Sequence, residues 1–212
     1  MSGVQRSITQ RRAGSVYLVR GLMGNFSLGM DTICGELRQQ GVHAVVFQHR
    51  QESELGDALV REYSAAGSPE PLVLIGHSLG ADDVVGISRK LAAQNIRVSL
   101  IITVDPVMAD PVMGNVAQAV NFYRSNGVMD TFPIFRGIPL KTGPGADVAL
   151  VNFDLNQHEE LLEPGTNHFT IDKNTRVQES IVRRVLAVCP PSSSYAGVQS
   201  VRVDGASTRA AK

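Results

Sequence analysis

The sequence predicts an α/β protein, a three-layer α/β/α sandwich built on one open, mostly parallel sheet. Two observations carry this. Apolar runs of strand length alternate along the chain with stretches of helical spacing, without internal repeats, as crossover connections between parallel strands require. The run Leu72–Ile75 is apolar throughout, as expected of a strand covered on both faces. In sheets of this kind sites form beyond the carboxyl ends of the strands, where loops from distant segments converge.

The elements follow in order. Ser15–Val19 is β-branched and aromatic and reads as the first strand, closing in the glycine-rich turn Arg20–Asn25. Met30, Ile33, Cys34 and Leu37 give Gly29–Gln40 a helical spacing, and Gly41 ends it before a second strand over Val42–Phe47. Glu52–Ala66 is a second helix, broken by Gly67-Ser68-Pro69. The buried run at Leu72 and a helix from Leu79 through Leu91 come next, then a strand over Val98–Val104 that stops at Asp105-Pro106. Pro106–Asn115 is loop. Val116–Ser125 reads either as a short helix or as a strand around Val120–Tyr123, and both remain open on the sequence alone. Asn126–Gly145 is loop with one short extended piece at Phe132–Phe135, Asp147–Leu155 is the last strand, and Thr175–Val188 is a closing amphipathic helix. The expected division is a flexible segment over residues 1–14, one folded domain over 15–189, and a polar tail over 190–212 expected to be disordered despite weak alternation at Val198–Val203.

Composition narrows the function. Of 212 residues 43% are hydrophobic and 19% charged, enough for a single packed core. Twenty basic and twenty acidic residues cancel, and Trp is absent, so neither nucleic acid nor an anionic membrane is an expected partner. No apolar run approaches the roughly 20 residues that span a bilayer. Arg6, Arg11 and Arg12 precede no apolar segment of the kind an export signal needs, which points to a cytoplasmic chain. Cys34 and Cys189 are expected to be free, half-buried thiols.

The chemistry centres on Gly76-His77-Ser78-Leu79-Gly80, a Gly-x-Ser-x-Gly pattern between the buried strand and its helix. Two residues without Cβ permit a sharp turn that holds Ser78 at the apex in strained geometry, beside the first N–H groups of the helix. A serine hydroxyl needs a base to take its proton and a carboxylate to orient that base. His168 lies after the last strand, where the base belongs. His158 sits in an acidic loop, His49 ends a strand ahead of the serine, His43 lies within a strand, and His77 is suited to supporting the elbow. Asp105 is the expected acid, with Asp154 its rival at the end of the last strand and Asp130 and Asp147 weaker candidates. Asp82 and Asp83 stand in a helix's first turn and suit its dipole. The oxyanion donors would be the backbone N–H groups of Leu79 and of Leu22, with Met23 as alternative. A metal set from His158, Glu159, Glu160 and His168 matches no known ligand spacing. Gly21-x-x-Gly24 lacks the residues of a nucleotide loop. No cofactor is expected.

On the motifs Arg20-Gly21-Leu22-Met23-Gly24, Gly76–Asp82, Asp105-Pro106-Val107 and Asn167–Asp172, the chain resembles the α/β-hydrolase family over Ser15–Val188, in particular its small bacterial lipase- or thioesterase-like members. The resemblance implies Ser78 as nucleophile, His168 as base, Asp105 as acid, and Leu22 and Leu79 as oxyanion donors. It implies cleavage of a carboxylic ester or thioester of a small-molecule or acyl-chain substrate. Two departures stand out: Arg20-Gly21 replaces the family's usual His-Gly, and Asp105 follows a strand one earlier than the commonest position of the acid. With Pro106–Gly145 the only stretch long enough to cover the site, a minimal fold without a large cap is expected. Acyl transfer, or a binding protein that keeps the fold, are the alternative functions.

Overall fold

The computed structural model describes residues 10–22, 27–66, 70–125 and 137–192. Six strands, β1 (Ser15–Val19), β2 (His43–Phe47), β3 (Leu72–His77), β4 (Val98–Val104), β5 (Val116–Tyr123) and β6 (Ala149–Asp154), form one sheet in the order β2-β1-β3-β4-β5-β6. Every pairing is parallel. Four helices cover it: α1 (Gly29–Gln39), α2 (Glu52–Ala66), α3 (Leu79–Ala92) and α4 (Thr175–Val188).

Strand alternation splits the core between two faces. Val16, Leu18, Val73, Ile75, Leu100 and Ile102 pack with Met30, Ile33 and Leu37 of α1 and Ile181 and Val185 of α4. Tyr17, Val19, Leu72, Leu74 and Ile101 point the other way, onto Leu55 and Leu59 of α2 and Val84, Val85 and Leu91 of α3. The sheet thus has a helical layer on each face, and the predicted fold class is the observed one. Among the described residues no helix is long and apolar enough to cross a membrane.

The ambiguous stretch after residue 115 is a single strand over Val116–Tyr123. β5 is paired on both sides, to β4 and to β6, and tertiary pairing decides what its mixed spacing left open. A polar ladder runs through this part of the sheet. Thr103 Oγ1 donates to Asn121 Oδ1 at 2.8 Å, and Asn121 Nδ2 donates to Asn152 Oδ1 at 2.9 Å. The ladder fastens a loop: Asn121 Nδ2 also reaches the Ile138 carbonyl, while Asn152 bonds both the N–H and the carbonyl of Leu140. Side-chain amides therefore satisfy the backbone of an irregular segment laid on the sheet, as buried polar backbone requires.

The cysteines are free, as expected, but fully rather than half buried, at 2% exposure for Cys34 and 0% for Cys189. Burial pushes the Cys189 thiol up to about 12. Arg12 donates to the Leu186 and Cys189 carbonyls at the end of α4, and Ala13 N–H bonds the Pro190 carbonyl. Residues 10–14 and 189–192 thus run together beside the core. The expectations for Phe132–Phe135, Asp130, the break at residues 67–69 and the tail beyond residue 192 lie outside the described residues.

Candidate active site

Ser78 stands at the carboxyl end of β3 with φ 56° and ψ −127°, a left-handed backbone conformation that costs a residue bearing a Cβ on the order of 1–3 kcal/mol. Close packing of strand and helix imposes it. A Cβ on Gly76 would lie 2.1 Å from the Gly80 carbonyl oxygen, and one on Gly80 would lie 2.4 Å from that of Val19. Only glycines let α3 start this close to β1 and β3, and the chain turns through Ser78 to do so.

The structure brings three sequence-predicted side chains into one line. Ser78 Oγ lies 2.9 Å from His168 Nε2, and His168 Nδ1 lies 2.6 Å from Asp105 Oδ2. Asp105 is 0% and His168 5% exposed, while Ser78 is half-buried. Asp105 leaves β4 with φ 52°, a second strained residue at the site. Its other carboxylate oxygen accepts the Arg124 N–H at 2.9 Å. The Arg124 guanidinium in turn donates to the carbonyl of Thr166, two residues before His168. Arg124 therefore joins Asp105 to the loop of His168, a link no local spacing announces.

Asp154 is occupied differently. Its Oδ2 accepts the Ser125 hydroxyl at 2.6 Å, and its Oδ1 accepts the Asn156 N–H at 3.1 Å. The histidine's Nδ1 is met by Asp105. Asp105 stands beside Ser78 because β3 and β4 are neighbours, with His77 in register with Val104.

Leu79 follows the serine directly, and Leu22 follows Gly21 in the turn after β1. The turn after β1 packs so tightly that a Cβ on Gly21 would lie 3.1 Å from that of Ser78. Neither the Leu22 nor the Leu79 N–H has a hydrogen-bond acceptor among the described residues. Met23, the alternative donor, lies outside them. Arg20 pairs with Asp31 in the first turn of α1.

His77 faces away from the serine and is 2% exposed. Its Nε2 bonds the His168 carbonyl at 2.9 Å, and its Nδ1 bonds Ser27 Oγ at 2.8 Å. Ser27 Oγ also accepts the Gly21 N–H at 3.1 Å. Burial, with His168 nearby, lowers the His77 pKa to about 4, so the ring is neutral near pH 7. A carbonyl cannot donate, so Nε2 carries the hydrogen and Nδ1 accepts from the Ser27 hydroxyl. An unbroken chain of hydrogen bonds therefore runs from the Leu22 turn to the main chain of His168.

A second tie runs parallel to it. Asp172, 0% exposed, accepts the Gly29 N–H at 2.9 Å, joining the start of α1 to the His168 loop. Its Oδ1 has no partner among the described residues, and burial raises its pKa to about 6. The folded state thus holds this proton more tightly than an unfolded Asp near 3.9. The resulting stability is complete below that value and is lost as pH rises through about 6. Asp172→Asn keeps an acceptor for Gly29 and removes the buried charge. It is expected to raise the melting temperature at pH 8 by roughly 3–8 °C, on the order of 2 kcal/mol, with the gain vanishing towards pH 4. Thermal unfolding across that range checks it.

Asp82 and Asp83 do more than face the helix dipole. Asp82 accepts the Val107 N–H at 3.0 Å and the Met108 N–H at 3.0 and 3.1 Å, tying the loop after Asp105 to α3. Asp83 Oδ2 bonds His49 Nδ1 at 2.7 Å, which draws His49 into a contact between elements. His43 Nδ1 bonds Ser15 on the neighbouring strand. His158 pairs with Glu160, and His168 with Ser78 and Asp105, so the metal set weighed from sequence is not gathered on one point. His49, Glu52 and Asp83 do place ligand atoms within 4.8 Å of one another.

An all-parallel sheet in this order, with a serine on a left-handed elbow between a central strand and its helix, is the α/β-hydrolase arrangement. No family model matches the sequence, and no curated protein matches it. Among solved structures the chain is similar to YbtT, a type II thioesterase from the yersiniabactin pathway, at 14% identity over 84% of this chain and 93% of that one, with a TM-score of 0.45. It is similar to a cutinase-like protein from Cryptococcus sp. at 12% identity over 82% and 94% of the two chains, TM-score 0.45. It is similar to the metagenomic carboxyl esterase MGS0156 at 12% identity over 85% and 75% of the two chains, TM-score 0.42.

Proposed function

We propose that the protein is a serine hydrolase that cleaves a carboxylic ester or thioester through an acyl-Ser78 intermediate. The observation behind this is the line of contacts from Ser78 Oγ to His168 Nε2 at 2.9 Å and from His168 Nδ1 to Asp105 at 2.6 Å, held on a strained elbow. His168 Nε2 takes the hydroxyl proton as Ser78 Oγ adds to the substrate carbonyl carbon. The Leu22 and Leu79 N–H groups receive the negative charge that develops on the carbonyl oxygen. Asp105 stabilises the imidazolium, whose Nε2 proton passes to the leaving oxygen or sulfur as the C–O or C–S bond breaks. A water then adds to the acyl group, giving its proton to His168, and collapse returns that proton to Ser78 and releases the acid.

A fluorophosphonate probe tests this directly. Covalent addition to the peptide carrying Ser78, read by mass spectrometry and lost in Ser78→Ala, is the expected result, together with turnover of p-nitrophenyl acetate. A folded protein that shows neither labelling nor turnover overturns the reading.

A further inference from the structure

Among the described residues five large hydrophobic side chains are exposed: Leu22 at 57%, Leu28 at 49%, Met108 at 68%, Val151 at 42% and Phe169 at 38%. Single exposed apolar residues are ordinary on a protein surface and call for no explanation. Their distribution here does. Val151 belongs to the edge strand β6, and the other four all occupy segments that carry the site. Leu22 is in the turn packed against Ser78. Leu28 follows Ser27, which bonds His77. Met108 is three residues beyond Asp105 and is fixed through its own N–H to Asp82, in the first turn of the helix that Ser78 begins. Phe169 follows His168, its ring edge-on to the imidazole at 5.5 Å between centroids.

These side chains arise from three separate loops, so no local pattern groups them, and each leaves much of its apolar surface exposed. The main chain is fixed at two of them, where the Met108 N–H bonds Asp82 and the Phe169 N–H bonds Asn167 Oδ1 at 2.9 Å. We infer that Leu22, Leu28, Met108 and Phe169 form an apolar rim that binds an alkyl chain of the substrate, of medium length or longer. The rim deepens the serine-hydrolase reading and rests on it. The chain belongs either to the acyl group or to the alcohol or thiol that leaves, and both present the same chemistry to the rim.

The test compares kcat/KM for p-nitrophenyl acetate, butyrate and octanoate, and for ethyl against octyl acetate. Wild-type protein is expected to prefer the eight-carbon member of one series by at least about 30-fold, since six added methylenes at about 0.8 kcal/mol each exceed that even when half covered. The series that shows the preference identifies the side that carries the chain. In Met108→Ser/Phe169→Ser the ratio of eight-carbon to two-carbon turnover is expected to fall about tenfold, while Val151→Ser leaves it unchanged. Both rim positions are exposed, and melting temperatures confirm that the variants fold. Equal turnover at all lengths, or a ratio unmoved by the double variant, overturns the rim. A preference that emerges only above the solubility limit of the ester assigns the rim to an aggregated lipid surface and also overturns it. Octanamide binding followed by saturation-transfer NMR separates the two readings. Should no ester be turned over and no probe attach, binding that weakens in the double variant sustains the rim without the hydrolase, and its absence from wild type ends both.

Discussion

Asp105→Asn is expected to lower kcat for p-nitrophenyl acetate by about 10³–10⁴-fold, with Asp154→Asn within about threefold of wild type. The contrast follows from what each carboxylate holds. Asp105 Oδ1 accepts the Arg124 N–H, and that bond orients an introduced amide with its oxygen on Arg124 and its NH₂ facing His168. A donor opposite Nδ1 forces the histidine proton onto Nε2, where it points at Ser78 and cannot accept from it. Asp154 bonds the Ser125 hydroxyl and the Asn156 N–H, so its replacement disturbs a turn. Steady-state kinetics of both variants, with melting temperatures to confirm folding, decide the matter. A larger loss at Asp154 would assign the acid to the end of β6, and equal losses would remove the distinction drawn for Asp105.

His77→Ala comes next, with an expected 10- to 100-fold fall in kcat and a KM within about twofold. His77 is a positioning residue in this account, since its bonds run to Ser27 and to the His168 main chain and none reaches the reacting atoms. Its removal frees the His168 carbonyl and the Ser27 hydroxyl together, which loosens the base and the Leu22 turn at the same time. Misplacement of about 1 Å is enough for losses of this size. Ground-state binding depends on other surfaces, which is why kcat carries the effect. His77→Gln retains an N–H donor for the His168 carbonyl and should recover part of the rate. A folded His77→Ala protein with wild-type kcat would reduce His77 to core packing.

Much of the fold was legible in the chain because hydrophobic periodicity is a local property. Ser15–Val19, Glu52–Ala66, Val98–Val104 and Thr175–Val188 have the same bounds in the structure as in the sequence reading. β5 was not legible, since its identity comes from partners on both sides rather than from its own spacing. Within the site, Ser78 was announced by Gly76 and Gly80, and His168 and Asp105 by their places after strands. Ser27, Arg124 and the buried role of Asp172 gave no comparable signal, because what distinguishes them is a contact made 42 to 143 residues away.

By itself, then, the sequence determined an alternating α/β chain, a glycine-flanked serine, and a short set of histidines and carboxylates from which a partner could be drawn. Only the tertiary structure shows which of them meet. Parallel pairing sets β3 beside β4 and so puts Asp105 next to the serine's strand, while hydrogen bonds from Arg124 to the Thr166 carbonyl and from His77 to the His168 carbonyl bring the loop of His168 back to both, and the Gly29 N–H on Asp172 ties that loop to α1. Periodicity is written residue by residue and can be read that way. Which carboxylate meets which ring nitrogen depends on the packing of strands and loops far apart in sequence, and only the folded chain contains it.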